Sequence, residues 1–306
     1  MRAKSRNKGK GKGSHHIGLY TMLILPIVYL ILFKYWPIYG VQIAFRDYIP
    51  IKGITGSTWV GLKHFRNFFS SYQFSRLLSN TLILGSISML VGIPCPIILA
   101  LAINSSRSKR LGKTVQMVTY APYFMSTVIL VSLVMQFLAV RGGLLNNIRA
   151  WFGLDALNLM SDPNAFRPIY ILSGIWQGTG YGAVIYLASL SAVSPDLYEA
   201  ARIDGATILQ QIRYIDLPSI LPEMIMLTIM NCGSIINVGF EKVLLLQNQL
   251  NMSTSDVIST YVYRMGIQSA QYSYSSAIGL FNSVVSLALL LFVNWLSSVA
   301  TETSLF

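Results

Sequence analysis

Six stretches of this chain are apolar enough, over the 20 or so residues that about 30 Å of hydrocarbon requires, to cross a bilayer as helices. They run from about 17 to 38, 77 to 103, 115 to 140, 168 to 193, 220 to 246 and 277 to 299. With 53% apolar and 11% charged residues, the chain falls far below the charged quarter of about 25% in soluble domains. At 306 residues, no water-soluble globule hides so much apolar surface. Disorder is excluded by 14 Phe, 17 Tyr and 5 Trp. Cys95 and Cys232 both lie in apolar stretches, which excludes a disulfide scaffold and reads as two small buried side chains. The expected fold class is an all-α polytopic membrane protein with six transmembrane helices. Lys34, Trp36 and Pro37 break the first span near its outer end, Pro94 and Pro96 bend the second, and the fourth and fifth are the most polar.

Orientation follows from the placement of Lys and Arg. With the N-terminus cytoplasmic, the segments inside (1–16, 104–114, 193–219 and a short C-terminal tail) hold 12 basic residues, against 9 on longer segments outside. Arg2, Lys4, Arg6, Lys8, Lys10 and Lys12 form a basic tail that reads as a positive-inside anchor rather than a nucleic-acid arm. It is not a cleavable signal peptide, since the apolar run is long and no small-residue cleavage site follows. His15 and His16 have no Cys, Asp or Glu nearby to complete a metal site. The loop from Arg107 to Lys113 is the second inside marker. The aromatic run Trp59 to Phe69 suits an amphipathic helix at the outer interface. Both termini are expected in the cytoplasm.

Between spans four and five the sequence reads as a helix, a sharp turn and a second helix over 194–218. Ser194 suits an N-cap, Pro195 the first helical position, and Asp196 the positive end of the helix dipole. Gly205 supplies the left-handed residue that ends the first helix, and Pro218 limits the second and turns the chain into span five. Ala200 and Ala201 make a low surface able to enter a groove, with Glu199 beside them as an anchor for a basic partner.

Glu199, Ala200, Ala201, Gly205, Ile215, Leu217 and Pro218, at their observed spacing, closely resemble the EAA motif of ABC importer permeases, and Asp204 and Arg213 are usual in its sugar branch. Trp59 to Phe65, with Asn80, Thr81 and Leu82 opening span two, is similar to carbohydrate-uptake permeases of the maltose and multiple-sugar type. Tyr39 to Tyr48 resembles their LplB-like branch, tied to oligosaccharide or polysaccharide uptake. The resemblance implies a type I importer transmembrane domain of the MetI-like fold. Its organisation would be a basic tail (1–16), a first helix with an aromatic outer loop (17–76), a core (77–299) and a short tail (300–306). It further implies a permease of the bacterial cell membrane that pairs with a second, homologous permease and sits on two copies of an ATP-binding subunit. Sugar would come from an extracytoplasmic binding (lipo)protein. Residues 195–217 would form the coupling element, with Glu199 meeting a basic residue of the ATPase. ATP and Mg would be bound by the ATPase, not by this chain.

Consistent with that division of labour, the chain has no G-x-x-x-x-G-K-[ST] loop, no Ser/His/Asp constellation and no metal-ligand cluster. The sugar path belongs where polar groups sit at membrane depth. Trp176, Gln177 and Tyr181 in span four are candidates; Gln177 and Tyr181 share a face and either meet sugar or bond a neighbouring helix. Gly174, Gly178 and Gly182 suit close helix packing. Asn231, Ser234 and Asn237 form a stripe at three-residue steps in span five, lining the cavity by family position, with helix–helix bonding the alternative. Glu241 and Lys242, near the outer end of that span, pair with each other or reach water. Two other readings stay open: an ABC permease for amino acids, peptides or ions, and a secondary carrier. Against the carrier stand the lack of an inverted repeat and of a mid-span acid suited to proton or sodium coupling.

Overall fold

The computed structural model describes residues 12–106 and 108–301, with side chains from 20 to 299. The basic residues up to Lys10, with Arg107 and the tail beyond 301, lie outside the described residues. Helix α1 (Lys12–Leu30) passes into a π-helical turn (Ile31–Tyr35) and a 3-10 segment (Trp36–Phe45), so regular α-helix ends just before Lys34, Trp36 and Pro37. From Tyr20 to Tyr39 no side chain is buried, and the 3-10 continuation leans on the last helix. A two-residue ribbon follows, β1 (Arg46–Asp47) antiparallel to β2 (Thr58–Trp59), a departure from the all-helical expectation confined to four residues. The expected amphipathic segment is α2 (Lys63–Phe69), whose Phe68 is buried.

Helix α3 (Phe74–Asn104) spans 31 residues; its hydrogen bonding lapses at Ile93, before Pro94 and Pro96, while the backbone stays helical. The third span is not one rod. It divides into α4 (Lys109–Tyr120), a 3-10 turn (Ala121–Phe124) and α5 (Thr127–Phe137), bent by 104°. Pro122 removes a backbone donor at the turn, and Ser126 caps the new helix by accepting from Ile129 N at 3.3 Å. Helix α6 (Pro163–Ser191) starts earlier than 168, because Asp162 caps it and Pro163 occupies its first turn, leaving Pro168 inside. After α7 (Pro195–Ile203), α8 (Ile208–Gly233) runs unbroken through Pro218. A π-helical turn at Ile212–Asp216 widens the helix just ahead of the proline, so Pro218 does not end it.

The fifth span is also corrected at its far end. Helix α8 stops at Gly233, residues 234–239 are non-helical, and a separate α9 (Phe240–Leu246) follows. A Cβ on Gly233 would press on Leu290, so glycine lets the chain pass the last helix, α10 (Tyr272–Thr301), closely. Four helical runs (Tyr20–Phe45, α3, α8 and α10) are long and apolar enough to cross a membrane; the bent α4–α5 pair makes a fifth candidate. Helix α6, with 29 residues, has the length but more polar content.

Helix α6 organises the core. Near one end of the bundle Ala183, Tyr186 and Leu190 of α6 pack on Ile97, Ala100 and Leu101 of α3 and on Ile220 of α8. Further along, Phe166 joins Leu84, Leu130, Val131, Val243 and Leu246. Phe68, Leu77, Ile236, Ile258, Tyr261 and Ile278 close the end that carries the β ribbon. Of the glycine repeat, Gly182 faces Pro96 at 2.9 Å from a notional Cβ, but Gly178 meets nothing. The closest approach is at Gly180, which the repeat does not contain: a Cβ there would overlap the Thr119 carbonyl of α4.

The ribbon end is held by charge. Lys63 Nζ lies 2.7 Å from Asp47 Oδ2 and His64 Nε2 3.0 Å from Oδ1. The Lys63 hydrogen bond holds the Asp47 carboxyl below its ordinary value, with its charge and that of His64 acting in the same direction. A depressed carboxylate stabilises the fold above its unfolded pKa, about 3.9, and loses that contribution as pH falls through the folded value. Trp59, stacked on Phe45 with ring centroids 5.6 Å apart, reports it: its emission should change between about pH 5 and pH 2, and Asp47→Asn should remove that transition.

Candidate functional site

The segment 194–218 stands at the end of the bundle opposite the ribbon. Ser194 Oγ accepts from Asp196 N at 3.3 Å and Pro195 opens α7, as expected of the cap. Asp204 N bonds Ala200 O at 3.0 Å and Ala206 N reaches back to Ala201 O at 2.8 Å, closing the helix with a six-to-one bond around Gly205. Gly205 has φ +76°, the left-handed value that glycine adopts without strain. Thr207 then caps α8 reciprocally with Gln210: Thr207 N donates to Gln210 Oε1 at 2.7 Å and Gln210 N to Thr207 Oγ1 at 3.4 Å. Two capped helices on one fixed turn make a stiff elbow.

One face of the elbow is free. Glu199 and Ala200 are exposed, and Glu199 has no hydrogen bond or ion pair among the described residues. Ile203 is 86% and Leu209 75% exposed, so a carboxylate is framed by apolar side chains that pack on nothing here. Asp204, Arg213 and Pro218 are exposed too; Arg213 sits 5.7 Å from the ring of Tyr214. Ala201 and Leu217 turn inward, Leu217 against the Ile97–Ile220 cluster.

Beneath the elbow lies a contact that the motif did not reveal. Asp216, 1% exposed, accepts from the Tyr198 hydroxyl at 2.5 Å and from Asn104 Nδ2 at 3.3 Å. Burial, then the bond to Asp216, pushes the Tyr198 hydroxyl pKa up. A groove of about 1200 Å³ runs beside this cluster, lined by residues including Asn104, Lys109, Glu199, Arg202 and Asp216.

The candidates for a polar path fall in two places. Gln177 Nε2 donates to Met125 O at 3.4 Å, and Tyr181 stacks on Tyr123, centroids 3.9 Å apart, where α4 gives way to α5. Tyr181 stays 46% exposed. Trp176, on another face, lines an apolar hollow with Phe137, Leu138 and Leu172. Asn231, Ser234 and Asn237 are all exposed, but Ser234 and Asn237 lie in the non-helical stretch after Gly233, so the three do not form one helical stripe. Asn231 and Ser234 donate back to carbonyls of α8, Leu227 O and Met230 O. Asn237 accepts from Asn282 Nδ2 at 2.8 Å, and Asn282 in turn lines a cavity of about 540 Å³ with Phe240, Ser259, Tyr263 and Ser276. Tyr123 and Asn282 were not singled out in sequence, because neither stands in a polar run.

Two charged residues behave differently from expectation. Lys242 does not pair with Glu241: it is buried and donates to Tyr170 O at 2.8 Å, its Nζ 4.6 Å from the Tyr170 ring. Glu223 lies within α8, about 10 Å from Asp216 by helical rise, half-buried with Oε2 unpartnered. It lies 15 residues after the start and 10 before the end of the candidate span Ile208–Gly233, so an acid does stand near the middle of that helix. Cys232 is buried, with Sγ 3.6 Å from Met89 Sδ, whereas Cys95 is only half-buried.

Residues 92–299, more than two thirds of the chain, match the family described as binding-protein-dependent transport system inner membrane component. The chain belongs to that family. This permease is 43% identical over 288 residues to the polygalacturonan/rhamnogalacturonan transport system permease protein YteP of Bacillus subtilis, covering 94% of this chain and 90% of that protein. It is 41% identical to Protein LplB of the same organism, covering 94% and 91%. Among solved structures it is similar to a bacterial ABC transporter involved in the import of the acidic polysaccharide alginate, with TM-score 0.87, 42% identity, and coverage of 94% of the permease and 97% of that chain. The alginate transporter bound to a pentasaccharide-loaded periplasmic protein matches equally, with TM-score 0.87 and 43% identity. The permease is therefore a multi-pass component of a binding-protein-dependent membrane transporter, with the fold of an ABC importer permease.

Proposed function

We propose that the permease carries an oligosaccharide, with fragments of acidic polysaccharides as the favoured cargo, through a path formed with a second permease subunit. Relatives above 40% identity over nearly the whole chain support that cargo, one named for polygalacturonan and one for alginate. Binding proteins on the outside would deliver it, and two ATP-binding subunits on the inside, holding ATP and Mg, would drive it. The observation that carries the coupling role is the free elbow: Glu199 unpaired on a capped, rigid helix beside exposed Ile203 and Leu209. A basic residue of the ATPase would pair with Glu199 and set register. Closure of the ATPases would move the elbow as a rigid body and switch the path between its two openings. The elbow then faces the cytoplasm, as do both termini, in agreement with the excess of Lys and Arg on the inside segments.

For the path we place Asn231, Ser234 and Asn237, with Asn282, against sugar hydroxyls, and the exposed Tyr123–Tyr181 stack as an aromatic surface for sugar C–H faces. The test is uptake of oligogalacturonides into vesicles reconstituted with both permeases, the ATPase and the binding protein. Uptake should require ATP and every subunit, and Asn231→Leu should reduce it while leaving the assembly intact. Uptake into vesicles holding this chain alone would establish a secondary carrier instead.

A further inference from the structure

The cluster around Asp216 spans three elements: Asp216 is buried, Tyr198 half-buried and Asn104 exposed, lining the groove, and none of the three has a place in the coupling role proposed for Glu199. Asp216 closes the π-helical turn where the elbow becomes α8; Tyr198 lies on α7, one residue before Glu199; Asn104 is the last residue of α3. The three polar groups meet in a triangle: Tyr198 hydroxyl to Asp216 Oδ1 at 2.5 Å, Asn104 Nδ2 to the same oxygen at 3.3 Å, and Asn104 Nδ2 to the Tyr198 hydroxyl at 3.4 Å. No cation bonds Asp216 among the described residues, so the carboxylate depends on these two neutral donors. A carboxylate taken out of water is costly unless its lone pairs are filled, and hydrogen bonds to a charged group are among the stronger ones. The triangle therefore resists parting of α7 from α3 and α8.

We infer that Asp216, Tyr198 and Asn104 form a clamp of positioning residues that makes the elbow move as one piece with α3 and α8, so that displacement at Glu199 reaches the membrane path rather than being absorbed at the turn. The flexible point without the clamp is the connection Asp204–Gly205–Ala206, where the backbone turns on a single left-handed glycine. Asp216 is buried where Glu199 and Ala200 are exposed, yet Tyr198, Glu199 and Asp216 border one groove, so retention of the ATPase in the variants is what separates transmission from docking. This inference rests on the coupling role proposed for the elbow.

The experiment uses the full reconstituted assembly and reads three quantities: ATPase retained on the permease pair, binding-protein-stimulated hydrolysis, and sugar taken up per ATP hydrolysed. Tyr198→Phe and Asp216→Asn should keep the ATPase bound and hydrolysis near the parent rate, while uptake per ATP falls about tenfold, the factor expected for loss of one charge-assisted hydrogen bond. The exchanged pair Asn104→Asp with Asp216→Asn keeps one carboxylate and one amide in the triangle and should regain most of the coupling. Loss of bound ATPase in the Tyr198→Phe variant would overturn the inference by making the cluster part of the dock. An unchanged uptake-to-ATP ratio in both single variants would overturn it as well. If the elbow reading itself is wrong, Glu199→Lys retains the ATPase in the same assay, an outcome separate from either result at the clamp.

Discussion

Glu199→Lys should abolish ATP-driven uptake and strip the ATPase from the purified permease pair, while the protein should still insert and fold. The side chain is exposed and has no hydrogen bond or ion pair among the described residues, so reversal of its charge removes no polar contact that holds them together. At the interface the change is severe, because a basic partner on the ATPase would face a like charge amid desolvated apolar contacts from Ile203 and Leu209. Loss of a partner in such a charge pair costs about 2–5 kcal/mol, equivalent to a fall of roughly thirtyfold to several thousandfold in affinity. Co-purification in detergent and the melting temperature of the isolated permease separate the two effects: the first should fail and the second should not move.

Arg264→Met should be the most damaging change at the ribbon end. Asp256 is fully buried, with Arg264 Nη2 at 2.7 Å, Arg76 Nη2 at 3.6 Å and Thr260 Oγ1 at 3.2 Å. The same segment is tied to α3 through Asn80, which donates to the carbonyls of Ser253 and Asp256, and to α6 through Arg167, which donates to Asn80 Oδ1 at 2.9 Å. Removing Arg264 leaves a buried carboxylate with the Thr260 hydroxyl and, as its one remaining cation among the described residues, the more distant Arg76. Breaking such a pair costs about 3–5 kcal/mol; the remaining arginine places this variant near the lower figure. The double variant Arg264→Met with Asp256→Asn should recover part of that loss, since the uncompensated charge is then gone. Thermal unfolding of the purified permease checks both, and a single variant as stable as the parent would show that Arg76 and Thr260 together satisfy Asp256.

Sequence made the elbow readable because its signals are local. Ser194, Pro195 and Gly205 act within a few residues of themselves, and each sits in the structure where capping chemistry places it, whereas the equally local Thr207–Gln210 cap shows only in the structure. The membrane segments were legible as apolar runs but not in their breaks. The 104° bend in the third and the interruption after Gly233 arise where the chain must pass another helix, as Gly233 does at Leu290 and Gly180 at Thr119. Such contacts join residues tens of positions apart and leave no periodic trace. Pro218 misled for a related reason: its usual helix-ending effect is absorbed by the π turn before it. The polar stripe from Asn231 to Asn237 failed as a helical pattern for lack of helix, while Asp216, inside an unremarkable Ile-Asp-Leu-Pro run, gains its meaning only from Tyr198 and Asn104.

Cross-linking from α7 asks most directly whether the elbow is the part that an ATPase moves. In a chain with Cys95→Ser and Cys232→Ser, a photoactivatable probe attached at Ala200→Cys, on the exposed face beside Glu199, should capture the ATP-binding subunit. The yield should differ between nucleotide-free and ATP-bound assemblies. Capture of the extracytoplasmic binding protein, or of lipid alone, would place this helix on the wrong side of the membrane or against nothing, and would contradict the coupling role.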